Sequence, residues 1–135
     1  MSVKHMQDVE SQVVKAGDGT TIQVLISSQE GPNFALRRFV MEHDGGMPNH
    51  TNTVEHEQYV LRGSARIGIG EETFDVCAGD VVYIPQGVPN WYQNVGEENF
   101  EFICIIHHFE QALIIAIDHP RARLRDKRVP LEPVS

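Results

Sequence analysis

The sequence predicts an all-β domain, a sandwich or a barrel, and three observations predict it. Apolar residues recur at period two over short segments. Gly, Pro and Asn interrupt them about every ten residues. Glycines at 63, 68, 70, 79, 87 and 96 leave no room for a long helix in the centre of the chain. A chain of 135 residues and 15.2 kDa, 41% hydrophobic and 22% charged, suffices for one such domain and no second.

Each element has its own signal. Residues 21–27 (TIQVLIS) alternate Ile22, Val24 and Ile26, and the turn Gly31, Pro32, Asn33 follows. Residues 34–42 (FALRRFVME) read as the next strand, with apolar side chains on both faces and no indication of which points inward. Residues 57–61, 64–69, 72–77, 81–84 and 100–106 complete a series of short strands. His43 precedes a Gly-Gly pair that reads as a turn, and His107 and His108 stand at a strand end; all three are expected in solvent. The apolar run 112–117 (ALIIAI) fits a strand or a helix, and Pro120 closes it.

Charge narrows the function. Eleven Lys and Arg against nineteen Asp and Glu give a formal charge of −8, which repels phosphate backbones and anionic membrane surfaces. Residues 1–120 carry six bases against seventeen acids, and Arg121, Arg123, Arg125, Lys127 and Arg128 offset them in the tail. That tail reads as a solvated arm docked on an acidic surface rather than a nucleic-acid arm. Met1 to Glu10, with Lys4, His5, Asp8 and Glu10, does not read as a secretory leader, and no stretch approaches the roughly 18 apolar residues of a membrane span. A soluble, cytoplasmic chain without nucleic-acid or membrane partners is expected. Cys77 and Cys104 match no zinc or CxxC spacing and are expected as reduced thiols.

Two blocks carry the chemistry. Gly45 to Gly63 reads GGMPNHTNTVEHEQYVLRG, in which His50 and Asn52 share a face if the segment is extended; His56 then leads into a strand where Gln58 lies on its face. Gly79 to Asn94 reads GDVVYIPQGVPNWYQN, in which Asn90, Tyr92 and Asn94 alternate on one side and Trp91 faces the other. Period two alone does not say whether these faces meet.

These blocks resemble the two motifs of the cupin superfamily. The second matches at Gly79, Pro85, Gly87 and Asn94, with Asn90 where the family has His. The first matches at His50 and Gly63, with Asn52 for the second His and His56 for the acid. VEHEQYVLRG looks most like the single-domain cupins that use four histidines on manganese or a similar metal. The resemblance implies a cupin double-stranded β-helix, a jelly-roll-like barrel, at residues 31–108. N-terminal strands at 1–30 are expected in a homodimer interface, and residues 109–135 form a C-terminal extension with the basic tail.

The resemblance further implies one divalent metal ion (Mn, Fe, Zn or Ni) held by His50, Asn52, His56 and Asn90, with Gln58, Tyr92, Phe102 and Cys104 around a substrate. Phe100, Phe102, Cys104 and Ile106 share one strand face, which agrees with that placement. Two imidazoles and two carboxamides are neutral, so the metal would keep its full charge and favour an anionic guest. Carboxamide oxygen binds a transition metal more weakly than imidazole, which keeps a metal-free binding barrel open as the alternative to an enzyme. Glu55 and Glu57 flank His56 and are expected to face out, or else one of them holds its unused nitrogen. A metal-dependent dioxygenase, isomerase or decarboxylase acting on a small anionic or carbonyl-bearing molecule is the expected activity.

Overall fold

The computed structural model describes residues 1–108 and the backbone of two later strands. A 3-10 turn at Met6–Asp8 precedes β1 (Gln12–Val13) and β2 (Asp18–Ile26). Gln23 on β2 donates to the carbonyls of Met6 and Val9 at 3.0 and 2.8 Å, tying that turn to the sheet. Then follow β3 (Phe34–Asn52), β4 (His56–Arg62), β5 (Ser64–Ile69), β6 (Glu72–Cys77), β7 (Val81–Ile84), β8 (Asn90–Gln93) and β9 (Phe100–His107). Strands β10 (Leu113–Ala116) and β11 (Lys127–Pro130) complete the order, so the apolar run predicted at 112–117 is a strand over its central residues. Arg121, Arg123 and Arg125 lie outside the described residues. No helix among the described residues is long and apolar enough to cross a membrane.

All pairings are antiparallel, in the order β6-β5-β8-β3-β9-β4-β7, and the sheet curls about β3. The predicted all-β class is thus the observed one. β3 is 19 residues long and serves two partners at each end. Residues 34–41 pair with β9, and β2 runs along the other edge; past Gly46, β8 and β10 take over. The Gly-Gly pair is therefore not a turn, as its composition suggested, but the bend of a continuous strand. Asp44 has φ 66°, and the register slips between Met47 and His50, around a Pro48 that has no N–H for the ladder. Gly46 is required there, because a Cβ would collide with the Tyr92 carbonyl of β8.

Alternation sorts the side chains. On β4, His56, Gln58 and Val60 point inward and Glu57 and Tyr59 outward. On β8, Asn90 and Tyr92 are buried, while Trp91 lies against Gly68 of β5, leaving no space for a Cβ. Met41, Ile67, Ile84, Phe100, Phe102 and Ile106 fill the interior, each at 2% exposure or less. The candidate residues thus sit at the edge of a closed apolar core, where a polar group needs a partner.

Candidate functional site

The inward faces do meet. His50, Asn52, His56 and Asn90 are all buried, none above 6% exposure. Asn90 stands opposite His50 in the β3–β8 ladder, and its Nδ2 donates to the carbonyls of Val88 (3.0 Å) and His50 (3.4 Å), which leaves Oδ1 buried without a partner. His50 Nδ1 lies 2.6 Å from the Pro48 carbonyl. A carbonyl only accepts, so Nδ1 carries the proton and Nε2 keeps its lone pair. His56 Nδ1 lies 3.2 Å from Cys104 Sγ, and its Nε2 is buried without a partner.

A cavity with about 330 Å³ of empty volume, its mouth included, is bounded by His50, Asn52 and His56 together with Arg37, Gln58 and Tyr92. Its remaining wall is apolar, made by Phe39, Met41, Met47 and Phe102. Phe39, Phe102 and Tyr92 form a near-parallel stack, with centroids 5.1 and 5.4 Å apart and planes within 15°. Gln58 Nε2 donates to the Tyr92 hydroxyl at 2.6 Å. Accepting that bond leaves the phenol's own hydrogen for a guest. Tyr92 is buried, and burial raises its pKa, so the phenol stays protonated.

Burial lowers the pKa of His50, and that of His56 goes well below the ordinary value through burial reinforced by the charges of Arg37 and His50. Both rings are neutral at pH 7, the state in which imidazole ligates. Cys104 is wholly buried, and burial raises its thiol pKa against the opposing pull of Arg37. Glu55 and Glu57 are exposed; the partner of His56 is Cys104, and neither carboxylate takes that place. Glu57 is pushed up to about 7 by partial burial and its hydrogen bond with Glu55. His43 is exposed and bonds the Gly96 carbonyl at 2.7 Å. His107 packs edge-on against Phe34, and His108 is half-buried; none of the three lines the cavity.

Sequence reasoning missed Arg37. It is fully buried, donates from Nη2 to Cys104 Sγ at 3.2 Å, and holds its guanidinium 5.1 Å from the Phe39 ring centre. Its Nε and Nη1 are buried without partners. The neighbouring Arg38 faces the other way and pairs with Glu101. The signal was the inward run Ala35, Phe39, Met41 with one arginine among them, but it needed the strand's inner face to be known.

The donor types present, imidazole nitrogen and carboxamide oxygen, are ones a divalent metal can take. Among the described residues no group of three or more His, Cys, Asp or Glu could hold one. The candidate set is of another kind: the orphaned His56 Nε2 and Asn90 Oδ1, the free Nε2 of His50, and an Asn52 carboxamide whose Nδ2 has no partner and whose half-turn would present oxygen.

The family model for the cupin domain matches residues 37–106, from Arg37 through all four candidate positions to the end of the inner wall. The chain is a cupin. Its structure resembles the polyketide cyclase RemF from Streptomyces resistomycificus, with 25% identity, 91% of each chain covered and a TM-score of 0.78. It also resembles a cupin-2 domain from Rhodospirillum rubrum (22% identity, 80% of this chain and 75% of that one, TM-score 0.71). A predicted oxalate decarboxylase from Thermotoga maritima shares 17% identity, with 80% of this cupin and 100% of that chain covered and a TM-score of 0.71. The last two likenesses concern the fold alone. An uncharacterized protein of Methanocaldococcus jannaschii is 33% identical over 52 residues, 38% of this chain and 42% of that protein, so the match spans less than half of that relative.

Proposed function

We propose that this cupin is a metal-dependent small-molecule enzyme whose pocket takes a small anionic or carbonyl-bearing guest. The observation that carries the reading is a cavity lined by His50, Asn52 and His56, in which His56 Nε2 is buried without a partner, with the equally orphaned Asn90 Oδ1 on the residue paired with His50. A divalent ion held there would supply Lewis-acid polarisation of a carbonyl or carboxylate oxygen. The chain's own part is to orient and to exclude water. His50 is aimed by Pro48, His56 by Cys104, and the Tyr92 phenol, positioned by Gln58, donates to a guest oxygen. Because every candidate ligand is neutral, redox-neutral reactions such as cyclisation, isomerisation or decarboxylation suit the site better than oxidation, where an anionic ligand would stabilise a higher metal charge. The likeness to a polyketide cyclase over nine-tenths of both chains supports the redox-neutral choice.

A second reading, metal-free capture of an anion, is favoured by the Arg37 guanidinium, whose charge opposes a cation at the adjoining His56. Elemental analysis of protein purified without a nickel column separates the two. Near one metal per chain is expected, and a blank would leave only the second reading.

The proposal includes pairing of two copies. Tyr59, Val81, Tyr83 and Ile105 are exposed on neighbouring outer rows of β4, β7 and β9, and such an apolar face suits an interface.

A further inference from the structure

We infer that Arg37 is the anchor for a carboxylate on an apolar-bodied guest. A buried guanidinium with no anion beside it is strongly unfavourable, and the face of Phe39 at 5.1 Å offsets only part of that cost. Arg37 is 0% exposed, its Nε and Nη1 have no partner, and its one hydrogen bond goes to a sulfur, a weak acceptor. Among the described residues no acidic side chain lines the cavity. Nothing among the described residues supplies the missing anion, which points to a guest that does.

The walls decide which anion. Phe39, Phe102, Met41 and Met47 offer no hydrogen bond, so the several oxygens of a phosphate would mostly be desolvated without a partner. A carboxylate has two oxygens, which the free N–H groups of Arg37 and the Tyr92 phenol can satisfy while an aromatic or aliphatic body fills the apolar remainder. Cys104 Sγ stands 3.2 Å from both Arg37 Nη2 and His56 Nδ1, so the anchor adjoins the candidate metal ligands. A guest held by Arg37 presents its next functional group toward them. The inference rests on the pocket of the proposed function but not on its metal.

Calorimetric titration of the full chain, stripped of metal by chelation, with benzoate, benzamide and inorganic phosphate tests it. Benzoate is expected to bind about 10- to 100-fold more tightly than its neutral isostere benzamide, the worth of a charge-assisted hydrogen bond, and more tightly than phosphate. Arg37→Met should remove the preference for benzoate over benzamide. If that variant does not fold, Arg37→Lys, which keeps a point charge but loses the planar fork, should retain a reduced preference. Equal behaviour of benzoate and benzamide, including no binding by either, overturns the inference. So do tighter binding of phosphate and a preference that survives Arg37→Met or is unchanged in Arg37→Lys. A chain that takes up no metal yet prefers benzoate loses the metal and keeps the anchor; one that takes up metal without the preference does the reverse.

Discussion

Cys104 Sγ lies 3.2 Å from His56 Nδ1, which makes Nε2 the free nitrogen of a ring that lines the cavity. Partners of this kind fix the orientation of a ligating ring, and their loss typically lowers metal affinity about 10- to 100-fold. Cys104→Ala should weaken metal binding by that factor, measured by chelator competition, while Cys104→Ser, which keeps a polar atom, weakens it less. An unchanged affinity in the alanine variant would show that the sulfur does no more than fill space.

How much of this was legible in the chain follows from which residues had one meaning. Alternation placed the strands at 64–69, 72–77 and 81–84 at the bounds observed, because each has one buried or one paired face and a glycine at its end. The cupin resemblance, not the spacing itself, implied that Asn90 joins His50, and the two stand opposite each other in the β3–β8 ladder. Arg37 stayed hidden because FALRRFVME carries apolar residues at both parities and adjacent arginines, so only the pairing of β3 between β2 and β9 decides that Arg37 faces in and Arg38 out. Gly45 and Gly46 misled for a related reason. A glycine pair signals backbone freedom, and here that freedom serves close approach to Tyr92 rather than a turn.

Asn90→His tests the direction of a side chain. Its Oδ1 is unpartnered and buried next to His50. Imidazole is the stronger donor toward transition metals, so affinity for zinc or nickel should rise at least several-fold by chelator competition. A variant that is folded but binds no more tightly would place Asn90 outside the donor set.

Asn94 shares the inward side of the chain with Asn90 but does different work. Its Nδ2 lies 3.0 Å from the carbonyls of Met41, Glu42 and Glu98, and its Oδ1 accepts from Gly96 N at 2.9 Å. Asn94→Ala strands buried backbone groups, at a cost of about 1–3 kcal/mol for an unsatisfied one. Urea denaturation should report that loss, while the metal content of the folded fraction is unchanged. A metal content that fell in step would give Asn94 a role at the site.

Pairing of copies is open to a charge placed in the apolar rows. Tyr59 stands opposite Val81 on the outer face, and Val81 is 78% exposed, so Val81→Glu costs the free chain little. Sedimentation should find a dimer for the parent chain and a monomer for the variant. A dimer that persists in Val81→Glu would put the interface elsewhere.

Acid should destabilise the metal-free chain through its two buried rings. The unfolded chain protonates His50 and His56 near the free value of about 6.5, whereas burial holds both lower in the folded state, His56 furthest. Between those values the unfolded chain binds more protons, so stability is complete above about 6.5 and falls as pH drops toward the folded-state values. Each ring contributes up to about 1.4 kcal/mol per pH unit in that window. Denaturant midpoints between pH 7.5 and 5 should therefore decline, and His56→Gln should shallow the decline because its group does not titrate. A slope equal in the parent and the variant would mean that His56 ionises freely in the fold, and that it is not the dry, neutral ring the cavity requires.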